Sequence, residues 1–267
     1  MSPAPARTAL VTGAARGIGA AVVDALCVRG YRVVAVDACA GAGPGRPAGV
    51  DYPLATRADL AVVAERNGDR VLPLVADVRD RPALAAAVAE ADESLGGLDA
   101  VVAAAAVMTG GALWETTDEQ LAAQWDVTVR GVWNTAVATV PALLDRPQPR
   151  SGRFVAVASA AAHRGLWGLS AYGAAKHAVV GIVRGLAADL RDTGVGACAV
   201  SAGSTDTAML SATAGLYGLD PAAFADNQLL GRLFDPAEVG GLVAGLCGAD
   251  AAAVNGSVVH ADGGFTG

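Results

Sequence analysis

The sequence predicts an α/β fold, a doubly wound, seven-stranded parallel sheet with helices on both faces. Three observations predict it. Short β-branched and apolar runs alternate with helical stretches along the chain, the order expected of parallel strands joined by crossover helices. The first such unit carries a glycine-rich turn, T-G-A-A-R-G-I-G (Thr12 to Gly19), between its strand and its helix. The 267 residues suit one large α/β unit or two small ones, and neither a repeat nor a linker divides them, so a single domain over residues 1–267 is expected.

Composition narrows the function classes. The hydrophobic fraction of 53% is inflated by alanine, and charged residues make up only 17%. A net charge of −7 argues against a nucleic-acid partner. No uncharged apolar run is long enough to span a bilayer, so no membrane partner is expected. The first strand begins within a few residues of Met1, which leaves no room for a signal peptide and points to the cytoplasm. Cys27, Cys39, Cys198 and Cys247 show no C-x-x-C spacing, so they read as small apolar side chains and no metal site is expected.

The elements follow in order. Arg7 to Thr12 is the first strand, and a helical pattern runs from Ile18 to about Arg29. In the turn between them Gly13 permits the reversal, Gly17 lets backbone approach a pyrophosphate, and Gly19 lets helix pack on strand, with the helix N-terminus facing the phosphates. The second strand, Tyr31 to Val36, ends in Asp37, placed to bond a ribose 2′-hydroxyl and to repel a 2′-phosphate, which favours NAD over NADP. Arg16 argues slightly the other way, since it could neutralise such a phosphate or equally sit over the pyrophosphate. A Gly- and Pro-rich insertion at about 38–56 reads as a cover over the cofactor or as a plain surface loop.

Helix (Ala55 to Asn67), strand (Val71 to Ala76, running into Asp77-Val78) and helix (Asp80 to Leu95) come next. The fourth strand is Leu98 to Ala106, whose alanines 103–106 leave backbone free to lie against a flat ligand. One long helix is expected over Thr117 to Leu144 and a fifth strand over Gly152 to Ala158, with Ser159 just beyond it at the ligand-binding edge of the sheet. A helix from Ser170 to about Arg191, a strand from Val195 to Val200, a loop-rich region at about 202–234, a helix from Asp235-Pro236 to about Cys247 and a last strand from Ser257 to His260 complete the chain, before the tail Ala261 to Gly267. The 202–234 region, with Met209, Leu210, Leu216, Tyr217 and Phe224, suits a substrate lid or a partner contact. Trp114, Trp125, Trp133 and Trp167 read as packing residues rather than substrate platforms, with Trp167, in the loop between Ser159 and Tyr172, the best exception, and arginines 146, 150 and 153 read as a solvated loop face. His163 could line a substrate pocket or be solvated, and His177 and His260 have no evident partners.

One stretch stands out chemically. S-A-Y-G-A-A-K, Ser170 to Lys176, sets a tyrosine and a lysine four residues apart on one helical face. Lys176 is the sole lysine among eighteen arginines, so the position calls for a compact ammonium or is a chance survivor on a solvated face.

These motifs together resemble the short-chain dehydrogenase/reductase family over nearly the whole chain. The resemblance rests on T-G-A-A-R-G-I-G, on Asp77-Val78, on Ser159 standing thirteen residues before Tyr172, on Y-G-A-A-K and on D-G-G at Asp262 to Gly264. It implies a Rossmann fold, NAD as cofactor, and hydride transfer between the cofactor and a secondary alcohol or its ketone. It further implies Tyr172 as acid/base, with Lys176 favouring its phenolate and bonding the nicotinamide ribose, and Ser159 holding the substrate oxygen. Gly13, Arg16, Gly17, Ile18, Gly19, Asp37, Asp77, Val78, Ala104, Thr205 and Thr207 would join Tyr172 and Lys176 in cofactor binding. The family is commonly tetrameric, so a homotetramer is expected.

The insertion with D-Y-P-L-A-T, and the wording A-A-A-A-V-M and V-A-V-A-S-A-A-A-H-R-G, resemble the mycofactocin-associated branch. That resemblance implies NAD held without exchange and reoxidised in place by mycofactocin, an external electron acceptor. Three departures from the family pattern stand out. Alanines replace N-A-G after strand four, Thr128 replaces the helix-four Asn that orders a relay water, and Ala202-Gly203 replaces P-G. They leave open a weakened NAD-binding sensor or structural protein, beside an ordinary family member with exchanging NAD.

Overall fold

The computed structural model describes residues 6–266; the reading of residues 1–5 as leaving no room for a leader, and the last residue of the tail, lie outside them. Seven parallel strands form one sheet in the order β3-β2-β1-β4-β5-β6-β7. They are β1 (Thr8–Thr12), β2 (Arg32–Asp37), β3 (Val71–Val75), β4 (Ala100–Ala103), β5 (Arg153–Val157), β6 (Gly196–Ala202) and β7 (Val258–Ala261). All residues of β1, β4, β5 and β6 are buried, which is why these strands read as continuous apolar runs rather than alternating ones.

Each face of the sheet has its own core. Leu10, Val34, Val101 and Phe154 pack with Leu84 of α3 (Arg81–Leu95), Val132 of α5 (Arg130–Leu144) and Val179 of α6 (Ser170–Asp189). On the other face Val11, Val33, Val102 and Val155 pack with Val22 of α1 (Gly17–Val28), Val63 of α2 (Arg57–Asn67) and Val243 of α8 (Pro236–Leu246). The chain moves outward from β1 to β2 and β3, then returns to place β4 on the other side of β1. The carboxyl ends of β1 and β4 therefore diverge at a switch point, where an open α/β sheet leaves a crevice.

Helix starts follow the sequence chemistry. Thr56 with Asp59 and Asp235 with Glu238 form capping boxes, which fix the beginnings of α2 and α8. Other boundaries differ from the reading of the sequence. β4 ends at Ala103, because Ala104 to Ala106 peel away to lie against the glycine turn. The long helix is interrupted: α4 (Asp118–Ala123), opened by the Thr117/Gln120 capping box, passes through a π-helical segment (Gln124–Val129) into α5. The 202–234 region is not mainly loop. It holds α7 (Ala208–Tyr217), capped by the Thr207 hydroxyl accepting from Leu210 N, and a 3-10 segment over Pro221–Asn227.

Two readings of side chains are corrected. Arg153 is not solvated but 2% exposed, and its guanidinium donates to the carbonyls of Leu246 and Val254, stitching β5 to the end of α8 and the approach to β7. Arg146 pairs with Asp99 at 3.0 Å. None of the four tryptophans is a core residue; all are exposed, Trp114 and Trp167 most of all. Among the described residues, no helix is long and apolar enough to cross a membrane.

Candidate active site

The crevice beyond β1 and β4 is a cavity of about 630 Å³ that continues past β5 and under α7. The glycine turn forms one end of it. Gly13 has φ +69°, and a Cβ there would stand 2.7 Å from the Ala105 backbone; a Cβ on Gly19 would lie 1.9 Å from the Gly13 carbonyl oxygen. The turn is therefore built for backbone-to-backbone contact, and Gly17 and Ile18 open α1 with their amides at the cavity wall.

Asp37 ends β2 beside that turn, and its carboxylate accepts from Ala15 N at 3.2 Å and from Cys39 N at 2.9 Å. It thus holds the turn and the start of the insertion together while facing the cavity. Asp77 and Val78 line the same end, with Asp77 clamped by Arg79 at 2.6 Å. Arg79 also donates to the Gly45 carbonyl of the insertion at 3.0 Å.

The insertion is docked along its length. Gly41 is tied to the far end of the segment by two backbone hydrogen bonds, its N–H donating to Ala55 O and its carbonyl accepting from Leu54 N. Val50 is buried, and the Tyr52 hydroxyl accepts from Met108 N at 3.0 Å, in surroundings that raise its pKa through burial. The Arg16 guanidinium lies 6.0 Å from the centre of the Tyr52 ring. Gly49 packs on α4 so closely that a Cβ would meet Gln120 N at 2.8 Å. The segment is a strap from β2 across to the loop after β4.

At the other end Ser159, Tyr172 and Lys176 converge on the cavity floor. Ser159 follows β5 and accepts from Ala161 N at 3.2 Å. Tyr172 and Lys176 lie on successive turns of α6, and the Lys176 ammonium, 3% exposed, donates to Val157 O at 2.8 Å. Burial lowers the Lys176 pKa to about 8. It also pushes the Tyr172 phenol up to about 12, against a smaller downward pull from the Ser159 hydroxyl.

The expectation that the Lys176 ammonium and the oxidised nicotinamide ring together favour phenolate concerns the nucleotide-bound site; within the protein alone burial prevails. The ammonium is directed at the Val157 carbonyl, 5.8 Å from the Tyr172 ring centre, and desolvation dominates. Thr205 and Thr207 line the cavity above Ser159's strand end, and Ala104 lines it beside Gly13. Thr128 does not line it. It lies in the π-helical segment, fully buried, and its hydroxyl has no partner among the described residues. His163 also faces elsewhere: its ring lies 4.6 Å from that of His260, which is held by Thr266 and Asp262.

The enoyl-(acyl carrier protein) reductase family model matches residues 13–266. The chain belongs to the short-chain dehydrogenase/reductase family. A relative of this dehydrogenase/reductase, an uncharacterised NAD-dependent oxidoreductase of Mycobacterium tuberculosis, is 35% identical, the match covering 96% of this chain and 94% of the relative. The (−)-trans-carveol dehydrogenase of Rhodococcus erythropolis is 37% identical over 71% of this chain and 68% of its own. Among solved structures, carveol dehydrogenase from Mycobacterium avium in complex with NAD superposes with a TM-score of 0.89 at 29% identity, covering 97% of both chains.

Two residues of this short-chain dehydrogenase/reductase, Arg79 and Tyr52, were not legible in the sequence, and the partner of Trp167 was not either. Arg79 was hidden because its role depends on the strap folding back over Asp77. Tyr52 sits in a stretch read as loop, although a tyrosine between the apolar Val50 and Leu54 of V-D-Y-P-L was a signal for docking. Trp167 stacks on Tyr217 of α7, a partner fifty positions away.

Proposed function

We propose that the protein is an NAD-dependent oxidoreductase that oxidises a secondary alcohol, or reduces the corresponding ketone. One observation carries this: Ser159, Tyr172 and Lys176 meet on the floor of a cavity that is continuous with a glycine turn and a carboxylate suited to a dinucleotide. The close-packed glycines, the amides opening α1 and the cavity-facing Asp37 carboxylate fit that cofactor. The relatives named NAD-dependent, and the neighbour solved with NAD, support it. When bound, the nicotinamide supplies the hydride acceptor.

In our reading Ser159 Oγ donates a hydrogen bond to the substrate oxygen, and Tyr172 Oη, ionised to phenolate, takes the hydroxyl proton as the carbinol hydride leaves. Lys176, with one of its N–H groups spent on Val157 O, keeps two for the ribose hydroxyls and brings a positive charge near the phenol. Asp37 accepts from a ribose hydroxyl and repels a 2′-phosphate, which selects NAD. Gly13, Arg16, Gly17, Ile18 and Gly19 hold the pyrophosphate; Asp77, Val78 and Ala104 flank the adenosine half, and Thr205 and Thr207 meet the carboxamide. Thr128, whose buried hydroxyl is free to hold a water, takes the place of an amide in the proton path.

The strap at 38–56 is the cofactor's cover. Leaving would require undocking Tyr52 from Met108 and Arg79 from Gly45, so we read NAD as held without exchange and reoxidised by mycofactocin. The test is to purify the protein without added nucleotide, gel-filter it, denature it and identify what is released. NAD at one per chain, reduced by a secondary alcohol and reoxidised by mycofactocin with no free NAD present, is the expected result. An empty protein would remove the tight-binding part, and NADP would overturn the role of Asp37.

A second reading has one observation in its favour. Burial that holds the Tyr172 phenol protonated leaves little phenolate near neutral pH, which suits a weakened, NAD-binding sensor. Under it Tyr172→Phe would cost no turnover because there would be none to lose.

A further inference from the structure

We propose that the far end of this cavity is a specificity wall, built by Trp167, Tyr217 and Phe224, that admits an uncharged alcohol with a bulky hydrocarbon body. The proposal rests on the oxidoreductase reading and names its substrate class. Charge is sharply divided along the cavity. Among the described residues, its charged lining side chains are Arg16, Asp37, Asp77 and Arg79 at the turn and strap, together with the buried Lys176; beyond Ser159 there are none. A carboxylate or phosphate placed there would lose water and gain no counter-charge.

The wall itself is aromatic. Trp167 stacks on Tyr217 at 5.4 Å between ring centres and 26° between planes, and Phe224 continues the surface 5.9 Å from Tyr217. Two of its hydroxyls are already engaged: that of Tyr217 donates to the Trp167 carbonyl and that of Thr213 to Met209 O. Ser159 and Tyr172 are left to orient an oxygen while the stacked aromatic faces receive a hydrocarbon body.

The wall is also fixed in place. Gly111 N donates to Gly168 O at 2.9 Å, joining the loop after β4 to the loop that carries Trp167. Leu216, next to Tyr217, lies so near Gly110 that a Cβ there would stand 2.1 Å from Leu216 Cδ2. Loop, loop and α7 are clasped together, so the shape of the wall is set before substrate arrives. Trp167 is nonetheless 80% exposed, which puts its outer face at the rim where a substrate would enter.

The experiment uses the nucleotide-loaded protein and three probes: cyclohexanol, 2-butanol and 3-hydroxybutyrate. Nicotinamide reduction follows turnover, and tryptophan fluorescence follows binding. Cyclohexanol is expected to exceed 3-hydroxybutyrate in kcat/KM by about a hundredfold or more. Trp167→Ala is expected to lower the cyclohexanol-to-2-butanol ratio about tenfold, chiefly through KM. Tyr217→Phe, which keeps the stack and removes only the clasp, is expected to lower it less.

Equal use of the hydroxy acid, or an unchanged ratio in Trp167→Ala, would overturn the wall while leaving the oxidoreductase reading in place. No reduction with any alcohol would overturn the reading instead. Fluorescence titration would then decide the wall alone: saturable quenching by cyclohexanol, absent with 3-hydroxybutyrate and in Trp167→Ala, upholds it, and no discrimination overturns it.

Discussion

Lys176 is a charge that the folded protein holds out of water with a single carbonyl for company, and its folded pKa of about 8 lies below the ordinary 10.5. The sign of its effect on stability follows. Between those values the unfolded chain holds a proton that the folded chain has released, so stability rises as pH climbs from about 8 to 10.5; below 8 the full penalty is present. Tyr172 acts oppositely: its phenol stays protonated to about 12 in the fold, so its contribution to stability is lost as pH rises from 10 to 12. Replacing Lys176 with Met should therefore abolish turnover yet raise the nucleotide-free melting temperature at pH 7 by about 2–4 °C, and flatten the rise in stability above pH 8. Calorimetry across pH checks this; a less stable Lys176→Met protein would contradict it. Tyr172→Phe should lower kcat about a thousandfold with NAD retention intact, measured by alcohol-dependent nicotinamide absorbance.

At the scale of elements, the strap and the seam around Arg153 are the features with the largest expected effects. Tyr52→Phe leaves the Met108 N–H without its partner, which costs about 1–2 kcal/mol locally and should speed NAD release about tenfold, read by nucleotide retention during dialysis. Arg153→Leu strands the carbonyls of Leu246 and Val254, and should destabilise the fold by about 2–4 kcal/mol in a denaturant titration without changing NAD affinity.

How legible these elements were in sequence varies for physical reasons. β1, the glycine turn and α1 were plain because local chemistry alone builds them. The α7 helix was obscured by its mixture of small residues with Gly215, although Thr207 three residues before Leu210 was an available cap signal. Arg153 was misread because it was weighed with its loop neighbours. A guanidinium at the head of a strand buried on both faces has to find carbonyls, and those lie ninety or more residues onward. The Ser159, Tyr172 and Lys176 grouping was legible because two of its members share a helix and the third ends a strand. The strap's place over the cofactor and the lid region carrying Tyr217 and Phe224 were legible as segments, but their contacts, Tyr52 with Met108 and Trp167 with Tyr217, were not, because these pairs meet across the molecule.

For the molecule as a whole, an outward stripe of Trp133 and Val137 on α5, with Trp125 just before it, is unusual exposure for a chain with so few aromatics. We expect it to be covered in a homotetramer. Light scattering should give four chain masses, and Trp133→Glu should give a smaller species; a monomeric parent protein would contradict this.

The whole surface, moreover, presents its positive charge as guanidinium, since all eighteen arginines stand against one lysine and that lysine is the buried Lys176. Apart from the N-terminal amine, an amine-directed acylating reagent or cross-linker meets a molecule with no outward lysine. Stoichiometric acylation of Lys176 would therefore be a footprint of the cofactor chamber itself, open in the empty protein and closed when the dinucleotide is seated.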